Sequence, residues 1–238
     1  MSTHANARHY KYYDLVMAGF VTVLLCSNLI GPGKTGVITL AGFPFVFSAG
    51  NLFFPISYIF GDVLTEVYGF ARARKVIWAG FGAMAFATVM SDIVIWIPPK
   101  PDEPYNALLQ PALEVVFGST WRIVVGSMAA FWVGDFVNSY VLARMKLWTE
   151  GKHLWSRTIG STFFGQLVDS ALFYPIAFFG IWETGTLLQA MTFNWLFKVA
   201  LEVVLTPLTY LVVNGLKAAE QEDFYDRGTD FTPFSLQD

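Results

Sequence analysis

The sequence predicts an all-α membrane protein with six transmembrane helices. Three observations support this fold class: a low charge content, six long apolar runs, and basic residues concentrated in alternate loops. Charged residues make up 14% of the 238 residues, and residues with apolar side chains make up 55%. An average soluble domain contains about 25% charged residues. Because water solvates such an apolar chain poorly, we expect the lipid bilayer to surround it.

The six apolar runs approach the length of about 20 residues with which a helix crosses the hydrocarbon core of a bilayer. They cover residues 12–31, 48–69, 75–97, 119–144, 157–181 and 186–215. The chain accordingly divides into a cytoplasmic N-terminus over 1–11, a six-helix domain over 12–216 and an acidic cytoplasmic tail over 217–238. We expect the tail, from Glu220 onward, to be solvated and partly disordered.

Two stretches between the spans differ from their surroundings. Residues 36–47 are rich in β-forming residues around Gly42 and Pro44. They predict a short hairpin or a re-entrant segment on the outer side, with an ordinary loop as the alternative. Residues 98–118 contain five prolines and predict an outer loop with a short amphipathic turn at 112–117. No linker in the sequence is long enough to separate a second domain.

The basic residues indicate how the chain is oriented. Eleven lie in segments expected on one side: Arg8, Lys11, Arg72, Arg74, Lys75, Arg144, Lys146, Lys152, Arg157, Lys217 and Arg227. The loops on the other side contain Lys34 and Lys100. Because Lys and Arg are retained in cytoplasmic loops, both termini are expected in the cytoplasm, as an even number of spans requires.

Composition and motifs exclude several classes of function. A net charge of −3 leaves no basic surface for nucleic acid, and the single Cys26 cannot form an internal disulfide. The three histidines lack metal-ligand spacing, so we expect no metal ion and no cofactor. We also expect no enzymatic activity. Residues 66–74 lack the Asp-Gly pair of the CDP-alcohol transferase motif, and Asn28 replaces the first glycine of a phosphate loop ending at residue 35.

The polar residues of the second span follow one helical stripe. A charge at the bilayer centre costs at least about 2.5 to 3.5 kcal/mol, so each ionisable residue within a span is a functional candidate. The stripe consists of Asn51, Pro55, Tyr58, Asp62 and Glu66. Pro55 is expected to kink the helix and free the carbonyl of Asn51, as in the broken helices of transporters. The alternative for Glu66 is a structural ion pair with Arg72 or Arg74.

Three further spans contain polar residues. The fifth span places Thr162, Gln166, Asp169 and Phe173 on one face; the sixth places Asn194, Lys198 and Glu202 one turn apart; the fourth contains Arg122 near its outer end and Asp135 and Asn138 deeper. The alternative for Asp169 is a hydrogen bond that only packs helices, and Lys198 and Glu202 can neutralise each other. In the fourth span, Gly126, Ala130 and Gly134 mark a close helix contact.

The ionisable residues within the spans are mostly acidic. The acids are Asp62, Glu66, Asp92, Asp135, Asp169 and Glu202, and the bases are Arg122 and Lys198. Two bases and six acids give 2 − 6 = −4. Carboxylates, an amide and aromatic rings around one cavity suit a planar ligand rich in N–H donors. The charge favours a donor-rich or cationic ligand, or protonated acids, over an anionic substrate.

Three segments, at 54–74, 122–139 and 155–173, resemble the queuosine-precursor transporter family, bacterial six-span proteins related to vitamin-uptake proteins. The block from Asp62 to Gly69 is the most specific part. The resemblance implies multi-pass location in the inner membrane and import of 7-cyano-7-deazaguanine or 7-aminomethyl-7-deazaguanine for queuosine modification of tRNA. It also implies a fold similar to the substrate-binding subunits of energy-coupling-factor transporters.

We combine the resemblance and the stripes into a site hypothesis. The expected substrate-binding residues are Asn51, Tyr58, Asp62, Glu66, Arg122, Gln166, Asp169 and Phe173, and the expected gating or ion-pairing residues are Asp135, Lys198 and Glu202. In this hypothesis Asp62 or Asp169 accepts hydrogen bonds from the base, and Gln166 meets its ring carbonyl. Tyr58 or Phe173 stacks on the ring. Glu66 gates the cytoplasmic side or carries a proton.

An alternative is a substrate-binding or partner subunit of a larger vitamin or nucleobase uptake complex. The sequence leaves open which of the two 7-deazaguanine precursors is preferred. It also leaves open the energy source, which is ion coupling, an external ATPase or facilitated exchange. The sequence also leaves open whether the chain forms a homo-oligomer or recruits an energy-coupling module.

Overall fold

A computed structural model of the chain describes residues 10–30, 35–40, 43–48, 53–118 and 121–235. The helices are α1 (Tyr13–Leu29), α2 (Phe54–Tyr68), α3 (Phe70–Trp96), α4 (Asn106–Phe117), α5 (Trp121–Trp148), α6 (Leu154–Phe178) and α7 (Thr184–Glu220). Each of the six predicted spans overlaps one of these helices, with ends that differ by several residues. The seventh, α4, lies in the proline-rich segment and is longer than the turn predicted there.

The predicted hairpin between the first two spans is confirmed. Strands β1 (Thr35–Leu40) and β2 (Phe43–Ser48) are antiparallel, and their register pairs Thr35 with Ser48 and Leu40 with Phe43. The hairpin connects the C-terminal end of α1 to the segment that leads into α2.

Helix α2 differs from the predicted second span in length and shape. It has 15 residues, or about 22 Å, which is shorter than the hydrocarbon core of a bilayer. Pro55 lies in its first turn, where a backbone N–H has no partner to lose, so the predicted kink is wrong. Asn51 lies outside the described residues.

Helices α2 and α3 meet at Gly69 without the predicted loop. Gly69 has φ of 87°, which favours glycine, and a Cβ there would lie 2.3 Å from the Phe224 ring. Helix α3 therefore begins at Phe70, and Arg72 and Arg74 belong to its first turns rather than to a loop.

Two of the described helices, α3 and α7, are long and apolar enough to cross a membrane. Helices α4 and α5 together are a third candidate, bent by 47° at the break between them. Helix α1 is apolar but has 17 residues. The chain is thus a helical membrane protein, while the count of six spans stays a prediction.

Segments predicted to share one side of the membrane meet at one end of the bundle, which we call the tail end. The backbone N–H groups of Lys11 and Tyr12 donate to the Glu220 carboxylate at 2.8 and 2.7 Å. The Tyr13 hydroxyl donates to the Arg72 carbonyl at 3.1 Å. The start of α1, the α2–α3 junction and the end of α7 therefore lie together, and we call the opposite end the far end.

The predicted small-residue face of α5 packs against α6. A Cβ on Gly134 would lie 3.1 Å from the Asp169 Cβ and 3.2 Å from the Gly165 carbonyl. A Cβ on Gly165 would lie 2.8 Å from the Asn138 Cβ. Because neither glycine carries a side chain, α5 and α6 approach closely at this level. The side chains of Asn138 and Asp169 project from the two helices at the same level.

The expectation of a solvated, partly disordered tail is met only in part at residues 221–235, because the segment packs on the helix bundle while many of its side chains stay exposed. Asp226 is 2% exposed, and its carboxylate accepts the Phe70 N–H at 3.0 Å. The Arg74 guanidinium donates to the Asp230 carbonyl at 2.7 Å, and the Phe231 ring lies 5.0 Å from the Phe70 ring. Aromatic residues between the acids give the tail apolar surface to bury, which its net charge conceals.

Candidate functional site

A small polar cavity lies between α2, α5 and α6, with α1 and α3 completing its wall. Its volume is about 20 Å³, enough for a water molecule. The polar residues that line it are Ser57, Tyr58, Asp135, Asn138, Ser139, Thr162 and Gln166. Polar residues that the sequence singles out in the second, fourth and fifth spans therefore line one cavity.

The cavity wall offers hydrogen-bond acceptors that lack donors. The side-chain oxygens of Asn138 and Gln166 are buried and have no hydrogen-bond partner. Gln166 is 8% exposed. A buried acceptor without a donor costs about 1 to 3 kcal/mol, so a ligand that supplies N–H groups would recover this energy.

The carboxyl groups of Asp62 and Glu202 face each other beside the cavity. Each residue is 1% exposed, and the two carboxyl groups lie within hydrogen-bonding reach of one another. The Asn138 amide donates to Asp62, which links the pair to the cavity wall. Both Glu202 oxygens lack a hydrogen-bond donor, so the predicted ion pair between Lys198 and Glu202 is wrong.

Lys198 instead contacts Asp169 on the neighbouring helix. Its ammonium group donates to the Asp169 carboxylate at 2.8 Å. Tyr58 lies close enough to Asp135, Asp169 and Glu202 to sense their charges. Of the ionisable or aromatic residues that the sequence singles out, Tyr58 and Asp135 thus line the cavity. Asp169 and Glu202 lie near Tyr58, and Lys198 lies beside Asp169.

Glu66 lies away from the cavity and is surrounded by cations. It is fully buried, and Arg157 binds both of its oxygens, at 2.7 and 3.2 Å. Lys217 donates at 2.6 Å, and the Lys146 ammonium lies 3.4 Å away. Both lysines also reach Asp223 in the tail, at 2.6 and 2.7 Å. We call these five residues the tail-end cluster; the alternative partners Arg72 and Arg74 are wrong.

Sequence reasoning missed the three cations of this cluster because it assigned them to loops and the tail. Lys146 and Arg157 are each 1% exposed, and the side chain of Lys217 is 19% exposed. Lys146 and Lys217 lie in the last turns of their helices, where cations are favoured, which was a usable signal. No local pattern links Arg157 to an acid 91 positions away.

Asp223 lies in the tail, outside the helices, and its pKa reflects the positive charge of the two neighbouring lysines. Burial alone would raise the pKa of Asp223. Hydrogen bonds and charge from Lys146 and Lys217 outweigh burial and hold this pKa below its usual range.

Two of the predicted site residues lie toward the far end. Arg122 donates to the carbonyls of Ile176 and Phe179 at 3.0 and 2.8 Å, so it caps the end of α6. Phe173 lines a second cavity of about 160 Å³ between α1, α3, α4 and α5. It lies seven residues, or about 10 Å along α6, from Gln166. The two cavities therefore lie at different depths along the same helix.

Among the described residues, no group of His, Cys, Asp and Glu is arranged to hold a metal ion. The acids near the cavity are distributed over four helices, and Lys198 already neutralises Asp169. The cavity is therefore lined by hydrogen-bond acceptors, of which the Asn138 and Gln166 side-chain oxygens have no donor.

Comparison with known proteins identifies the family. The model of the family described as "Putative vitamin uptake transporter" matches residues 48–212, which is more than half of the chain. The chain belongs to this family. A "Probable queuosine precursor transporter" of Bacillus subtilis (strain 168) is 32% identical over 197 residues, 82% of this chain and 81% of the relative.

A second relative of the chain has the same description. The "Probable queuosine precursor transporter" of Haemophilus influenzae (strain ATCC 51907 / DSM 11121 / KW20 / Rd) is 28% identical over 138 residues, 58% of this chain and 54% of the relative. No solved structure matches the chain. The region matched by the family model includes the lining residues of the cavity from Ser57 to Gln166. Phe20, which also lines the cavity, lies before this region, and Lys217 and Asp223 lie beyond it.

Proposed function

We propose that this protein imports queuosine precursors, 7-cyano-7-deazaguanine or 7-aminomethyl-7-deazaguanine, across the inner membrane of a bacterium. The descriptions of two relatives support the class of cargo. The observation that carries the proposal is the cavity wall, in which Asn138 and Gln166 present buried oxygens without donors. A 7-deazaguanine base has ring N–H groups and an exocyclic amine that supply such donors.

The cavity suggests how a base is held. Asn138, Gln166 and Asp135 accept hydrogen bonds from its N–H groups, while Tyr58 stacks on its face. A volume of about 20 Å³ is too small for a bicyclic base, so binding requires side chains to move apart. The larger cavity beside Phe173 provides a site toward the far end where the base binds before it reaches the polar cavity.

In this proposal the tail end faces the cytoplasm, because its segments are rich in Lys and Arg and such segments are retained on the cytoplasmic side. The tail-end cluster then closes the cytoplasmic side, which makes Glu66 a gate residue rather than a substrate ligand. Release of the base to the cytoplasm requires the contacts of Glu66 with Arg157 and Lys217 to open.

The test is uptake of labelled 7-cyano-7-deazaguanine by cells that cannot synthesise it, with queuosine in tRNA as a second readout. We expect cells with the wild-type chain to take up the base. Gln166→Ala should raise the concentration for half-maximal uptake roughly two- to tenfold, because a neutral hydrogen bond contributes about 0.5 to 1.5 kcal/mol.

The matched control for the uptake test is Gln189→Ala, which removes an exposed amide from α7 and should leave uptake unchanged. Absence of uptake by the wild-type chain would contradict the proposal. Binding of the base by the purified chain, with uptake only when an ATPase module is present, would favour the subunit alternative.

A further inference from the structure

The facing carboxyl groups of Asp62 and Glu202 are not explained by packing or by ion pairing. One Asp62 oxygen and both Glu202 oxygens are buried without a hydrogen-bond donor. None of the salt bridges among the described residues involves either carboxyl. Two buried groups on α2 and α7, 140 positions apart in sequence, therefore meet with no cation to compensate them.

The charged groups around the pair do not supply that cation. Arg157 on α6 is the base whose charge reaches Asp62, but its guanidinium is bound to Glu66 and to the Lys152 carbonyl. Lys198 on α7 is bound to Asp169.

The remaining neighbours are acids or neutral groups. Glu66 lies one turn from Asp62 on α2, and Asp135 on α5 lies near Tyr58, which in turn lies near Glu202. Asn138 on α5 supplies one neutral hydrogen bond to Asp62. None of these groups compensates a second negative charge on the pair.

Two carboxylates in contact where water is excluded cannot both remain charged, because their repulsion is not screened. One proton between them turns the repulsion into a hydrogen bond and halves the charge. Paired carboxyl groups that share one proton are a known arrangement in proteins. The missing donor between Asp62 and Glu202 is thus a proton.

We propose that Asp62 and Glu202 form a proton-binding pair that couples import of the base to the inflow of one proton. This inference rests on the proposed function. The proton arrives from water through the far-end side of the cavity, is held between the two carboxyl groups, and leaves toward the tail end. One O–H bond forms on arrival and the same bond breaks on release, so one proton crosses with each base.

Asn138 connects the pair to the cargo. Its amide lines the cavity and also donates to Asp62. A base that binds the Asn138 side chain changes the hydrogen bonding of Asp62, and therefore its hold on the proton. Glu66, one turn further along α2, belongs to the tail-end cluster, so one member of the pair, Asp62, lies on the same helix as the gate.

The test uses the purified full-length chain in liposomes, with the membrane potential clamped to zero and the outside more acidic by one pH unit. The wild-type chain should accumulate neutral 7-cyano-7-deazaguanine about tenfold, because one proton per base converts one pH unit into a factor of ten. Glu202→Gln and Asp62→Asn should exchange internal for external base but accumulate none. Asp92→Asn, which removes an exposed acid from α3, is the control and should accumulate base normally.

The outcomes separate the inference from the function on which it rests. Wild-type protein that exchanges the base but does not accumulate it would overturn the coupling and leave the proposed function standing. Accumulation by Glu202→Gln and Asp62→Asn at the wild-type level would overturn the assignment to this pair. Wild-type protein that neither binds nor exchanges the base would contradict the proposed function itself.

A readout without transport tests the proton directly. The infrared difference spectrum between the wild-type chain and Glu202→Gln at neutral pH should contain the C=O stretching band of a protonated, buried carboxylic acid. Its absence would overturn the proton pair even if the chain transports the base.

Discussion

Two buried acids one turn apart on α2 show how surroundings decide the role of a residue. Asp62 meets another carboxyl and no salt-bridge partner, whereas Glu66 is bound by Arg157, Lys217 and Lys146. The sequence places both on one polar stripe and offers an ion pair as the alternative for Glu66, but with the wrong basic partners. Their different partners make Asp62 a candidate for proton exchange and Glu66 a structural or gating charge.

Removing the Glu66 carboxylate should destabilise the protein strongly. Glu66→Ala leaves three cations close together without their shared acid, and breaking a buried ion pair typically costs about 3 to 5 kcal/mol. We expect a clear fall in the unfolding temperature of the purified chain in detergent. Asp92→Ala, which removes an exposed acid from α3, is the control and should unfold near the wild-type temperature. Equal unfolding temperatures for Glu66→Ala and the wild type would contradict this role.

At the scale of elements, the contact between α5 and α6 fixes the geometry of the cavity. Gly134 and Gly165 let the two helices approach, and Asn138 and Asp169 project from the same contact. The small-residue spacing on α5 predicted this face correctly, because the helical period is recorded in the local sequence. The shortness of α2 was not predictable, since apolar residues continue through β2 into the helix.

Gly165→Ala should disturb both stability and binding. The new Cβ would lie 2.8 Å from the Asn138 Cβ and 3.0 Å from the Gly134 carbonyl, so backbone must move. Overpacking of this kind costs about 1 to 3 kcal/mol. We expect a lower unfolding temperature and weaker binding of 7-cyano-7-deazaguanine, measured by calorimetry.

The control for Gly165→Ala is Gly82→Ala on α3, where a Cβ meets nothing within 4 Å. This variant should bind the base as the wild type does. Wild-type binding by Gly165→Ala would show that the α5–α6 contact does not set the geometry of the cavity.

At the scale of the whole molecule, the tail closes one end of the helix bundle. Asp226 accepts the Phe70 N–H at the start of α3, and Asp223 binds Lys146 and Lys217 at the ends of α5 and α7. The Trp78 indole donates to the Pro233 carbonyl at 2.8 Å. The tail thereby connects three helices that the bilayer alone would leave free to separate.

The contacts of Asp223 with Lys146 and Lys217, which attach the tail to the helix bundle, should weaken in acid. Because the pKa of Asp223 is lower in the folded chain than in the unfolded chain, its contribution to stability is complete above the ordinary Asp pKa of about 3.9. The contribution is lost as pH falls through the lower, folded value. At neutral pH, Asp223→Asn should therefore show faster proteolysis of the tail than the wild type, and this difference should shrink at acidic pH.

The rate of proteolysis of the tail measures this effect. It is compared between pH 7 and pH 3 with a protease that is active at both values. Asp102→Asn, an exposed acid in the loop before α4, is the control and should be cleaved like the wild type at both values. A difference between Asp223→Asn and the wild type that persists unchanged in acid would contradict the assignment.

The sequence by itself determined that the lipid bilayer surrounds this protein, where six of its seven described helices lie to within several residues, the small-residue face of α5 and the acceptor-rich character of its interior. These properties follow from local composition and from a period of 3.6 residues, which need no knowledge of distant contacts. The tertiary structure decided which charge meets which. Asp62 meets Glu202, Glu66 meets Arg157, and the tail returns to cap α3. Such pairs join residues far apart in sequence, and only the packing of helices brings them together.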